Sequence, residues 1–185
     1  MSDDTVAAVE AEEEALVARA RAGDEAALDA VVGLHYRSVY EMAYRVLGEP
    51  ELAADATQDT FVKAINALDR FRGESSLRTW LLRIATNTAR SVGRRKTSRR
   101  EVELVPETQA ATGGSDPEQE TFVRSEAERA ARALQELPEK QRLAVSFRVY
   151  QGLSHREIGE VLGSSEGAAR VNYHLGLKRL RELLA

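Results

Sequence analysis

Between Ser75 and Arg100 the chain carries eight Arg or Lys and no acid. The surrounding stretch, FRGESSLRTWLLRIATNTARSVGRRKTSRR from Phe71, repeats its apolar residues with a helical period. Leu77, Leu81, Ile84, Ala85, Thr88 and Val92 share one face at about 100° per residue. Arg83, Asn87, Arg90 and Arg94 gather on the opposite side within roughly 60° of arc. Ser75 or Ser76 supplies the helix cap. Such a helix must bury one stripe against other helices and leaves Arg-Asn-Arg-Arg for something outside. Arg matches phosphate and guanine, and Asn presents paired donor and acceptor atoms to a base edge. Ahead of the helix runs the loop Arg72-Gly73-Glu74-Ser75-Ser76, set between Phe71 and Trp80. A short polar loop between aromatics suits an unstacked base.

Composition narrows the chemistry. The chain has no cysteine, which removes disulfides, thiolate metal sites and a Cys nucleophile. His35, His155 and His174 show no paired ligand spacing, so no metal and no cofactor is expected. No apolar run approaches the ~18 residues of a membrane span, and the start, MSDDTVAAVEAEEE, is acidic, unlike a signal peptide. A cytoplasmic protein with no membrane insertion is expected. The net charge of −4 conceals segregation, with acids crowding the first 60 residues and the basic stripe following. A globally acidic chain binds nucleic acid poorly unless the basic patch is separate or a partner contributes.

In order, residues 1–11 read as a disordered acidic tail, and Glu12 to Ala22 as a short helix ended by Gly23. Asp24 caps the next, whose core set is Ala27, Leu28, Val31, Leu34, Val39, Met42, Ala43, Val46 and Leu47. Tyr36, Tyr40 and Tyr44 recur along it at i, i+4, i+8. Pro50 opens a third helix with Leu52, Ala56, Phe61, Ile65 and Leu68 facing inward. Its other side offers Asp55, Gln58, Asp59, Thr60 and Lys63. The basic helix is the fourth, and four helices with short connections can enclose one core.

From 101 to 117, EVELVPETQAATGGSDP has no helical period, and it reads as a flexible linker with a root-mean-square span of ~25 Å. A second helical domain covers 118–185. Its first helix carries Phe122, Ala127, Ala130, Leu134 and Leu137, broken by Pro138. Glu139 to Tyr150 forms another. Ser154-His155-Arg156-Glu157 is a capping box opening a short helix with Ile158, Val161 and Leu162 inward. After Gly163-Ser164-Ser165 comes a long helix from Glu166, with Ala169, Tyr173, Leu177, Leu180 and Leu184 inward and Arg170, Val171, Asn172, His174 and Lys178 outward. Short helix, glycine turn and long helix make a helix-turn-helix. The fold class expected is all-α, two small helical domains joined by a linker.

These segments resemble a known family. ARAGDEAALDAVVGLHY, DATQDTFVKAINALDRFRG and SSLRTWLLRIATNTAR are similar to regions 2.1 to 2.4 of bacterial sigma factors of the extracytoplasmic-function (ECF) group. LQELPEKQRLAVSFRVYQGLSHREIGEVLGSSEGAARVNYHLGLKRLREL resembles region 4. The resemblance implies a non-enzymatic protein that binds core RNA polymerase, at the β′ clamp helices and β flap, and directs promoter recognition, melting and initiation. Asp55, Gln58, Asp59, Phe61 and Lys63 would dock on the clamp helices. At the −10 element, Phe71, Arg72, Gly73, Ser75, Ser76, Leu77 and Trp80 would form the loop receiving a flipped base. Arg83 and Asn87 would read the adjacent duplex, and Arg90, Arg94, Arg95 and Lys96 would hold phosphates. At the −35 element, Arg170, Val171, Asn172 and His174 would lie nearest the bases, with Lys178, Arg179 and Arg156 on the backbone. Ala54 and Ala56 stand where relatives often carry Glu and Leu. Val171 and Leu175 stand where relatives are often polar or basic, which shifts readout toward thymine methyls. A polymerase partner also accounts for a net acidic DNA-binding chain, and the family admits an anti-sigma factor between the domains, some of them holding the factor at the membrane.

Two other readings compete. A stand-alone helix-turn-helix regulator explains the second domain but not the Arg83/Asn87 stripe beside an aromatic loop. A helical enzyme built on His35 and the Asp55/Asp59 pair lacks a second carboxylate-His motif facing it.

Overall fold

The computed structural model describes the backbone of residues 3–102 and 119–185, and the side chains of residues 12–96, 126 and 128–185. The chain divides into two compact units, Met1–Gly93 and Arg94–Ala185. All regular structure among the described residues is helical, in eight α-helices and one 3-10 turn.

The first helix, α1 (Asp3–Arg21), already covers most of the expected tail. AAVEAEEEALVARA is rich in Ala and Glu, strong helix formers, and Asp3 and Asp4 lie at the end where the helix dipole favours acids. Gly23 turns the chain at φ 84°, and Asp24 caps α2 (Glu25–Leu47) by accepting from the Ala27 amide at 3.1 Å. Gly48, at φ 73°, closes α2 with its amide on the Tyr44 carbonyl. Pro50 occupies the first turn of α3 (Pro50–Ala67), where its missing N–H costs nothing. A 3-10 turn, Leu68–Arg70, leads through the loop to α4 (Leu77–Val102). Of the two serines, Ser76 caps α4, accepting from the Thr79 amide at 3.1 Å.

Small residues let these helices approach closely. Ala43, Ala53, Ala56 and Ala89 form one buried cluster, bordered by Tyr40, Val46, Leu47 and Val92. Buried threonines complete the packing without orphaned hydroxyls. Thr57, Thr60 and Thr86 donate to the carbonyls four residues back, Ala53, Ala56 and Leu82, at 2.6 to 2.7 Å. The buried arc of α4 is wider than the expected stripe. Leu82, Thr86 and Ala89 are fully enclosed beside Leu77, Leu81, Ala85 and Thr88, whereas Ile84 and Val92 are half-buried. Two expected core positions face outward, Leu34 of α2 and Ile65 of α3.

In the second unit α5 (Gln119–Gln135) precedes α6 (Glu139–Tyr150), α7 (His155–Leu162) and α8 (Glu166–Leu184). Leu134, Leu137 and Val145 form a buried cluster against Tyr173, Leu177 and Leu180. Leu143, Phe147, Ile158 and Val161 extend that core, and Leu184 lies outside it. Gly176 lets α8 pack closely on α6, since a Cβ there would stand 2.7 Å from Val145 Cγ2. The expected linker contributes Glu101 and Val102 to α4, and the remainder lies outside the described residues, as does the Phe122 side chain.

Candidate nucleic-acid interface

The basic face of α4 follows from the burial of its other side. With Leu81, Leu82, Ala85 and Ala89 enclosed, Arg83, Asn87 and Arg94 are left exposed and Arg90 half-buried. Arg95 is exposed and Lys96 half-buried, continuing the positive charge. Exposed guanidinium and amide groups about one turn apart can meet neighbouring phosphates and base edges.

The loop before α4 walls a cavity of about 260 Å³. Phe71, Gly73 and Ser75 come from the loop, and Glu13, Glu14 and Val17 come from α1. Arg21 ties the two together, its Nε donating to the Leu68 carbonyl at 3.1 Å and its Nη2 to the Phe71 carbonyl. Gly73 has φ 70°, a left-handed conformation that favours glycine. Leu77, also lining the cavity, and Trp80 are themselves buried, and Trp80 packs on Phe71 at 5.3 Å between ring centres. Trp80 therefore supports the loop from beneath. The α1 wall and Arg21 leave no mark in the sequence, since no local pattern links positions about fifty residues apart.

On α3, Asp55, Gln58, Asp59 and Lys63 are exposed. Phe61 is not: it is 6% exposed and stacks on Tyr36 at 6.3 Å. It is a core residue, and the apolar part of the exposed face is instead Val62, 53% exposed, and Ile65. Lys63 reaches the Thr88 hydroxyl of α4 at 3.1 Å. Tyr36, Tyr40 and Tyr44 stack in series along α2 at 6.4 and 6.5 Å.

In the second unit the capping box forms as read, Ser154 accepting from the Glu157 amide while the Glu157 carboxylate accepts from the Ser154 amide. Gly163, at φ 64°, ends α7, and Ser165 caps α8. Gly159 makes the turn possible, because a Cβ there would stand 2.8 Å from the Ser164 carbonyl oxygen. Along α8, Arg170, Val171, His174, Leu175, Lys178 and Arg179 are exposed. Several polar groups on this surface are already engaged: Arg170 pairs with Glu166 at 2.5 Å, Arg179 with Glu182 at 3.3 Å and Arg156 with Glu160 at 3.2 Å. Asn172, expected to point outward, is half-buried and donates to the Ala168 carbonyl at 2.8 Å. The His155 ring packs 5.3 Å from Tyr173, and burial first, then the Arg148 and Arg170 charges, hold its pKa below the usual value.

Comparison with known proteins agrees with both halves. Residues 31–100 match Sigma-70 region 2, and residues 127–180 match Sigma-70, region 4. The ECF RNA polymerase sigma-E factor of Escherichia coli (strain K12) is 32% identical over 167 residues, covering 85% of this chain and 86% of that protein. The ECF RNA polymerase sigma factor SigE of Mycolicibacterium smegmatis is 36% identical over 169 residues, and the match spans 65% of its length and 88% of this chain. Among solved structures, CnrH in complex with the cytosolic domain of CnrY has a TM-score of 0.69 at 28% identity, covering 93% of this chain and 96% of that one. The sigma factor RpoE of Bartonella quintana, solved with the anti-sigma factor NepR, shares the fold at a TM-score of 0.66 and 22% identity, over 83% of this chain and 93% of that one.

Proposed function

The chain belongs to the ECF group of the sigma-70 family of RNA polymerase sigma factors, and we propose that its two units divide promoter recognition between the −10 and −35 elements. Its function is promoter-specific transcription initiation with core RNA polymerase, to which sigma factors bind. The chemistry of RNA synthesis belongs to the polymerase. A stand-alone regulator would need no first unit matching sigma region 2.

The observation that carries the division of labour is the charge segregation of the first unit. On α3, Asp55, Gln58 and Asp59 flank Val62 and Ile65, an acidic and apolar surface that repels phosphate and suits a protein. On α4, Arg83 and Asn87 form a surface that suits DNA. The first surface docks on the polymerase clamp. The second reads and holds the −10 duplex, with the Phe71–Leu77 loop taking one unstacked base. The helix-turn-helix of the second unit reads the −35 element through α8. Regulation by an anti-sigma factor is part of this reading, motivated by the relatives solved with one. No helix among the described residues is long and apolar enough to cross a membrane, in keeping with a cytoplasmic site of action.

Run-off transcription with purified core polymerase tests the assignment. Asp59→Lys should lose core binding and transcription together. Asn87→Ala should keep core binding and lower open-complex formation, read by permanganate reactivity of unpaired thymines. Normal core binding by Asp59→Lys, or normal opening by Asn87→Ala, would refute the corresponding surface.

A further inference from the structure

We infer that Arg21 is a positioning residue for promoter opening: from the end of α1 its guanidinium clamps the turn that launches the Phe71–Leu77 loop, so that α1 acts on the −10 element without touching DNA. The inference rests on the loop's role as a base receptor and adds what holds that receptor in shape.

Leu68 ends α3 and begins the 3-10 turn from which the loop departs. Carbonyls at a helix end lack partners further along the chain and carry partial negative charge, so they attract a cation. Here two carbonyls share one. The Leu68 carbonyl accepts from the Phe71 amide at 3.1 Å, which closes the turn. Its second lone pair accepts from Arg21 Nε, also at 3.1 Å. The Phe71 carbonyl, at the start of the loop, accepts from Arg21 Nη2. Both nitrogens belong to one rigid planar group, which therefore sets the spacing and angle between the two carbonyls. An ammonium is a point donor on a flexible stem and does not impose that geometry.

The mounting of the clamp is firm. Arg21 stands in the last turn of α1, next to the buried Val17 and Ala20. The same end is pinned to the start of α2, with Arg19 paired to the Asp24 carboxylate at 2.7 Å and the Asp24 amide donating to the Arg19 carbonyl at 3.1 Å. At its far end the loop is fixed where Ser76 accepts from the Thr79 amide. Between the two anchors Arg72, Gly73 and Glu74 project into solvent. A segment of this kind gives up conformational freedom when it takes a base, and fixing its departure in advance removes part of that cost. Loss of the clamp should weaken capture while the base contacts themselves remain.

The test uses holoenzyme assembled from the full chain and core polymerase, on forked templates abasic at each −10 position in turn. The position whose loss weakens the unaltered holoenzyme is the captured base. If no position does so, the base-receptor reading fails and the inference with it. On the intact template Arg21→Met, which keeps the stem and loses both donors, should bind about tenfold more weakly with normal core binding. On the template abasic at the captured position it should match the unaltered protein, because no base remains for the loop to hold. Its salt dependence should stay unchanged, whereas a lost phosphate contact would lower the slope by about one. Arg21→Lys keeps the charge without the fork and should still bind about threefold more weakly; it carries the same comparison if Arg21→Met fails to bind core. Arg19→Met removes the neighbouring pair with Asp24 and should stay within about twofold of normal. Base capture would stand and the inference would fall on any of four results: normal binding by Arg21→Met or Arg21→Lys, a defect that persists on the abasic template, a lowered salt slope, or equal impairment by Arg19→Met.

Discussion

Along α8, single side chains decide what the second unit can read. Arg170 and Arg179 are held by Glu166 and Glu182, and Asn172 is turned back onto its own helix. Exposed ion pairs of this kind are worth little and exchange readily for phosphate. The outward groups without a polar alternative are Val171, 57% exposed, and Leu175, 48% exposed, four residues apart. Flanked by Arg170, Lys178 and Arg179, they are the groups we propose to meet thymine methyls in the major groove. Replacing the relevant thymine of the −35 element by uracil removes only the methyl. It should weaken binding of the unaltered holoenzyme several-fold and change little for Val171→Ala, measured by fluorescence anisotropy. An equal effect of uracil on both proteins would remove Val171 from the readout.

At the scale of elements, two glycines, Gly159 and Gly176, sit where an added Cβ would collide with the rest of the second unit. At Gly159 an added methyl would meet the Ser164 backbone oxygen at 2.8 Å, and backbone in a capped turn cannot yield as a flexible side-chain tip does. Gly159→Ala should therefore force α7 and α8 apart at the turn, costing about 1–3 kcal/mol of stability, and should lower −35 affinity. Thermal melting and promoter binding together check this. An unchanged melting temperature would show that the turn relaxes. These glycines also show what was legible. Gly163 and the Ser154–Glu157 box follow local rules and stand in the sequence as turn and cap. Gly159 lies within a helical period, and only the fold of the turn back over it gives it a purpose.

At the scale of the whole molecule, acidity bears on the first unit through His35, which lies among groups from α1, α2 and α4. Burial, then the Arg78 charge, place its folded pKa below the ordinary 6.5. Below that ordinary value the unfolded chain takes up a proton that the native chain resists. Stability should thus decline as pH falls from about 6.5 through the folded pKa. His35→Gln should flatten this decline, checked by melting temperature between pH 7.5 and pH 5. A decline of the same size in the variant would place its cause elsewhere.

What the amino-acid order determined by itself is every feature that depends on neighbours within about a turn. Helix identity, the Asp24 and Ser154 caps, the glycine stops and the exposed Arg83–Asn87 pair all follow from local period and hydrogen bonding. A three-helix crossing on alanines then enclosed Leu82 and Ala89 as well as the expected stripe, since close backbones cover a wider arc than one face. Phe61 went inside onto Tyr36 as its period implies, but Ile65, expected beside it, was left outside, because helix rotation is set by packing partners and not by the period alone. The cavity wall was likewise decided only in three dimensions. Glu13 and Glu14 stand across from Phe71 and Ser75 because α1 folds back on the loop and Arg21 fastens it there. No local energy term connects those residues. Their juxtaposition exists only once the core has formed.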